Sequence, residues 1–194
     1  MENKVTQTGK ATIAKVSDID GLRSLFISQL KTSLWIAKRL IKAHSKMARN
    51  ASSPNLTSLL QKHIVATEAQ LGRLENILGT IGQSPRGKRS EGLEALIQEN
   101  LNLLAHTKKG PVRDAGIIAA SQKVVHYLIA GYCTLINFAD TLGENKIISV
   151  LKQTLTEEQE EEELLYKAAR NTINYDALPE DEVRRRASHY YRNK

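Results

Sequence analysis

Apolar and small residues recur in steps of three and four along four long stretches of this chain, the spacing that lines up one face of an α-helix. The clearest stretch runs from Ile117 to Leu142, where Ile118, Ser121, Val125, Leu128, Tyr132, Leu135, Ala139 and Leu142 form a single stripe. A first helix is expected from a cap at Ser17 or Asp18 to about Asn50. Its inward face is Leu22, Leu25, Phe26, Leu30, Leu34, Ile41, Ser45 and Ala48, with Trp35 on the flank. Ser52 or Ser53, followed by Pro54, opens a second helix that carries Leu56, Leu60, His63, Ile64, Thr67, Leu71, Leu74, Leu78 and Ile81 inward. The last long helix spans about Glu144 to Ile173, with Ile147, Leu151, Leu155, Glu158, Glu162, Leu165 and Ala169 inward. A shorter periodic segment, Glu91 to His106, follows a linker rich in Gly, Pro, Ser and basic residues and falls inside the crossover between the second and third long helices.

Four long stripes with two short connections predict an all-α protein, an antiparallel four-helix bundle with a short extra helix in the crossover. Strand-like alternation is missing, and the prolines and most glycines fall between periodic segments. Two places break the stripes. Lys38 lies four residues after Leu34 and three before Ile41, and Glu158 lies in the stripe of the last helix. The expectation is that Lys38 and Glu158 meet in the core as an ion pair, because a buried ammonium without a partner costs several kcal/mol. The alternative is that Lys38 reaches water along its apolar stem.

The 194 residues and 41% hydrophobic content suit one domain with a proper core. The polar first twenty residues lack a secretory apolar region, and no run is apolar and uncharged for long enough to cross a bilayer, so a cytoplasmic protein is expected. One cysteine, Cys133, has no partner for a disulfide and is expected as a small core residue. The net charge of +7 is uneven: residues 1–50 hold ten Lys/Arg against three acids, and residues 151–174 hold three against six. The first and last long helices are therefore expected to attract each other. No phosphate-cradling glycine loop, dinucleotide fingerprint or H-E-x-x-H motif is present.

The runs H-x-x-x-T-x-x-Q-x-x-R-L-E at 63–75 and D-A-x-I-I-A-A-x-Q-K-V-x-H-Y at 114–127, with L-K-Q-T-L-T-E-E-Q-E-E-E-E-L-L further on, resemble the bacterial YciE/YciF-type ferritin-like stress proteins. The resemblance covers residues 18–174 in unbroken order. It implies a ferritin-like bundle at 18–174, which leaves a polar arm at 1–17 and a charged tail at 175–194. It also implies a ring of carboxylates at mid-bundle that holds two metal ions. The matching positions here read Lys38, Ala66, Val125 and Leu128, and only the last helix keeps Glu157, Glu158 and Glu161. His63 and His126 match histidines of the family pattern; an interior histidine satisfied by hydrogen bonds is the simpler expectation for each.

Too few carboxylates remain to satisfy two hard cations, so no metal, no other cofactor and no catalytic residue are expected. Glu157, Glu158, Glu161, His63 and His126 are the residual candidates for metal contact. The functional expectation is a metal-free structural or interaction protein of bacterial stress response, a homodimer or the partner of a related ferritin-like subunit. A di-iron or di-manganese oxidoreductase is the first alternative. The second is a non-specific nucleic-acid binder using Lys31, Arg39, Lys42, Lys46 and Arg49 with Lys10, Lys15 and the tail arginines, although no recognition motif supports it.

Overall fold

The computed structural model describes residues 21–183 and residue 185. Every element among them is helical: α1 (Gly21–Asn50), α2 (Pro54–Thr80), α3 (Glu91–His106), α4 (Pro111–Thr141), α5 (Asn145–Ala168), a π-helical turn (Ala169–Ile173) and α6 (Asn174–Asp176). The expected caps at Ser17 and Asp18 lie outside the described residues, as do Lys10, Lys15, Arg184, Arg186, Tyr190 and Tyr191.

Local chemistry sets the helix ends. Ser53 accepts the Leu56 N–H at 3.4 Å and Pro54 opens α2. Ser90 accepts the Leu93 N–H at 3.2 Å at the start of α3. Gly143, at φ 71°, turns the chain after α4 in the left-handed region that side chains avoid. Three-residue breaks at 51–53 and 142–144 fold α1 against α2 and α4 against α5 as antiparallel hairpins. The hairpins pack through α1 with α4 and α2 with α5, and α3 lies against α4 and touches α1.

The crossover is pinned to α1. Lys88 donates its N–H to the Lys31 carbonyl at 2.9 Å, the Lys31 ammonium donates to Gln83 at 2.9 Å, and the Arg39 guanidinium grips Glu94 of α3 through two bonds of 2.9 and 2.8 Å. Gly87 sits so close to Trp35 that a Cβ there would lie 2.8 Å from the Trp35 Cβ and 3.0 Å from its Cα. Asp114 in the first turn of α4 accepts the N–H groups of Ser52 at 2.8 Å and Ser53 at 2.7 Å, tying one hairpin's turn to the other hairpin's first helix.

The stripes of α2 and α4 bury as their spacing predicts, including Leu56, Leu60, His63, Thr67, Leu74 and Leu78 on one and Ile118, Ser121, Val125, Leu128, Tyr132, Leu135 and Ala139 on the other. In α1 the stripe departs from expectation after Leu34: the buried residues are Ala37, Leu40, Ala43, His44 and Met47. The run continues in steps of three, where Lys38, Ile41 and Ser45 assumed a step of four. One residue is about 100° around the axis, and that rotation moves Lys38 off the core face.

Lys38 accordingly pairs with Glu75 of α2 at 3.0 Å, both side chains close to half exposed. The expected Lys38–Glu158 core pair is not formed, because the two residues face opposite sides of the helix wall. Cys133, next to the inward Tyr132, is exposed and is not a core residue. The expected attraction between the first and last long helices also fails to materialise as packing. The cations of α1 find Glu75 on α2 and Glu94 on α3, and Arg23 reaches Glu144 just ahead of α5 at 2.7 Å.

Candidate functional site

Four long helices close around a core that is apolar except at one level. There α1 presents His44, α2 presents His63, and α5 presents Glu158 and Glu161, all buried. The spacing explains the convergence. Glu158 and Glu161 are three apart on α5, so both lie on its inward side. His63 continues the Leu56–Leu60 stripe, and His44 follows Leu40 by one turn. The α4 wall at the same core carries Val125, 0% exposed, and Leu128, 6% exposed, together with the buried Tyr132.

The imidazole of His63 lies between the two carboxylates. Its Nε2 is 3.5 Å from Glu158 Oε2, and its Nδ1 is 3.6 Å from Glu161 Oε1. These are ion-pair separations, longer than a hydrogen bond of about 2.9 Å. The His44 ring packs on the His63 ring with centroids 4.6 Å apart. Neither nitrogen of either histidine, neither oxygen of Glu158 and not Oε1 of Glu161 has a hydrogen-bond partner within the chain.

Burial sets the electrostatics. It pushes the His44 pKa well below the ordinary histidine value, and the neighbouring His63 adds to the drop. Burial also works against a charged His63 and is the largest single influence on it. The contact with Glu158 and the charges of Glu158 and Glu161 together outweigh it, so the His63 pKa is raised. Burial raises the Glu161 pKa, opposed by His63 and by Lys62 and reinforced by Glu158. The Tyr132 hydroxyl is pushed far up by burial, with Glu158 adding to it, and stays protonated.

Beside this cluster runs a second polar layer. Glu157 pairs with Arg73 of α2, accepts from Gln70 at 3.2 Å and from Gln153 at 3.2 Å, and Arg73 also donates to Thr154 at 3.2 Å. Glu157 is thus fully engaged at the seam between α2 and α5. Of the sequence-derived candidates, the fold brings His63, Glu158 and Glu161 together and leaves Glu157 in the neighbouring layer. His126 is apart from all of them, mostly exposed and 3.7 Å from Glu162.

His44 is the residue that the sequence reading missed. Continuing the α1 stripe from Leu34 in steps of three would have brought it inward. Of the basic residues placed on the first helix, Arg39 is bound to Glu94 and Lys31 to Gln83, while Lys42, Lys46 and Arg49 are exposed.

The donor set does not fit a dinuclear metal centre. Ala66, Val125 and Leu128 carry no donor atom, and Lys38 is outside the core, where Ala37 takes the inward position. The two nitrogens of His63 point in divergent directions at separate carboxylates, so no single ion touches the ring and both acids. Among the described residues no group of three or more His, Cys, Asp or Glu side chains is arranged to hold a metal ion. No described helix is long and apolar enough to cross a membrane.

Comparison with known proteins gives consistent matches. The family model described as "Domain of unknown function (DUF892)" covers residues 21–178. The protein YciF of Escherichia coli K12 is 34% identical over 154 residues, 79% of this chain and 93% of YciF. The crystal structure of that E. coli stress protein superposes with a TM-score of 0.76, covering 79% of this chain and 98% of YciF. A structure titled YcfI, a putative structural protein from Rhodopseudomonas palustris, is 32% identical with a TM-score of 0.74, covering 78% of this chain and 96% of its own. A protein from Xanthomonas campestris shares the fold at 18% identity and a TM-score of 0.66, over 80% of this chain and 95% of its own. With nearly all of its described residues inside the family match and a YciF relative aligned along most of both chains, this chain belongs to the DUF892 family.

Proposed function

We propose that this chain is a ferritin-like helical bundle that has lost its dinuclear metal site and serves bacterial stress response as a non-catalytic structural or interaction protein. It acts in the cytoplasm as a homodimer or beside a related ferritin-like subunit. The observation that carries this reading is the α4 wall: opposite Glu158 the core offers the buried side chains of Val125 and Leu128, which have no lone pair to give. Two hard dications need oxygen ligands from facing helices. Here α5 supplies two core carboxylates, and both face the same imidazole.

The relatives agree in character. YciF is a stress protein by its title, and the R. palustris protein is titled a putative structural protein. Metal analysis of the full chain, purified without chelator, tests the loss. We expect substoichiometric iron, manganese and zinc, and close to two ions per chain would overturn the reading. Light scattering coupled to size exclusion tests the assembly, with a dimer as the expected result for the chain alone.

A further inference from the structure

We propose that the positive charge which balances the two buried carboxylates of this core is a proton on His63, held as an imidazolium that latches α2 to α5. The inference rests on the reading of the centre as metal-free and says what stands there in place of an ion.

The argument is geometric. A neutral imidazole has one N–H and one lone pair. His63 directs both ring nitrogens at carboxylate oxygens, Nε2 at Glu158 and Nδ1 at Glu161. In the neutral ring, whichever nitrogen lacked the proton would turn its lone pair toward an acid in a region almost free of water. Only the doubly protonated ring offers a donor on each side. The site is closed: His63 is 2% exposed, Glu158 is 0% and Glu161 is 7%. Ions removed from water this completely persist when they are paired and lose several kcal/mol when one partner is taken away.

His44 completes the arrangement. It stacks on His63 from α1, and its own burial keeps it neutral, so it covers the imidazolium without a second charge. The other groups around the cluster are accounted for on every helix packed against it. Lys62 acts on Glu161 from α2, Arg73 and Gln70 of α2 are committed to Glu157, and the buried Tyr132 approaches from α4 with its hydroxyl protonated. His63 is the one cation within reach of both Glu158 and Glu161 among the described residues.

The latch has a mechanical consequence. His63 belongs to one hairpin and the glutamates to the other, so the proton joins the hairpins across the α2–α5 seam. Loss of that proton at alkaline pH leaves two unpaired acids in the core and loosens the seam. The sign follows from the raised His63 pKa: the stabilisation is complete below the unfolded histidine value of about 6.5 and is lost as pH rises through the folded value.

The test uses the full-length protein labelled with nitrogen-15. Long-range proton–nitrogen spectra at pH 7 should show His63 with both nitrogens protonated and His44 as a single neutral tautomer. Raising the pH should titrate His63 at an alkaline midpoint, and urea denaturation between pH 7 and 10 should show stability falling in parallel. In Glu158→Gln the proton affinity of His63 should drop at least about tenfold, one pH unit, and His63→Gln should remove the alkaline fall in stability. A neutral His63 at pH 7 in metal-free protein overturns the latch, as does an unchanged alkaline fall in His63→Gln. Stoichiometric metal, or His63 resonances broadened by about one equivalent of Mn2+, overturns instead the metal-free reading beneath it. The wild-type spectra need no variant to fold.

Discussion

Replacement of Asp114 by alanine should be among the most damaging single changes in the protein, although the residue lies at one end of the bundle and far from any candidate chemistry. Asp114 is 3% exposed, and its two oxygens accept the N–H groups of Ser52 and Ser53 at 2.8 and 2.7 Å, from a position 62 and 61 residues away. Those N–H groups lie immediately ahead of α2, where no earlier carbonyl of that helix exists to receive them. A hydrogen bond to an ionised acceptor contributes about 1.5–3 kcal/mol net, and the carboxylate also faces the positive end of the α2 dipole, worth about 0.3–1 kcal/mol. Ser52 is exposed and Ser53 half-buried, so water replaces part of what is lost. The expected cost of Asp114→Ala is therefore about 3 kcal/mol, or a fall in Tm of about 6–12 °C for a domain of this size. Asp114→Asn keeps one acceptor and turns an N–H2 toward the other donor, so it should lose nearly as much. Urea denaturation followed by far-ultraviolet circular dichroism measures both, with an unchanged m-value as the control for two-state behaviour. A loss below about 0.5 kcal/mol for Asp114→Ala, the range of ordinary surface changes, would refute this account of the joint between the hairpins.

Other outcomes follow from single contacts. Lys38→Ala should cost less than about 1 kcal/mol in the same denaturation assay, because the Lys38–Glu75 pair is near the surface; a loss of several kcal/mol would return Lys38 to the core. Gly87→Ala should destabilise by about 1–3 kcal/mol, since its Cβ meets the Trp35 backbone and must lift the crossover off α1; wild-type stability would show that the crossover gives way freely. His44→Leu should be neutral or stabilising by about 1–3 kcal/mol at pH 7, as it removes a buried ring with two unpartnered nitrogens. The same variant should hold its stability better in acid. The His44 pKa is lowered by folding, so its contribution is complete above about pH 6.5 and is lost as pH falls toward the folded value. An acid limb identical in wild type and His44→Leu would assign that loss to other groups.

The chain's periodicity alone placed five helices, most of their ends and most of the core. Ser53, Pro54, Ser90 and Gly143 act where their local chemistry says they should, because caps and turns are decided within a few residues. Val125 and Leu128 on one wall and Glu158 on another were legible as inward, since stripes of eight or more residues define a face well. What the sequence left undetermined is the rotation of each helix to within a residue. A single step of about 100° separates Ala37 in the core from Lys38 beside Glu75, Glu161 from Glu162, and buried Tyr132 from exposed Cys133. Those choices belong to tertiary packing, because the helix turns to bury its best average face and individual side chains follow. Contacts between helices are further removed from the sequence: the stacking of His44 on His63, the two glutamates flanking one imidazole and the reach of Asp114 to Ser52 and Ser53 exist only once the hairpins dock.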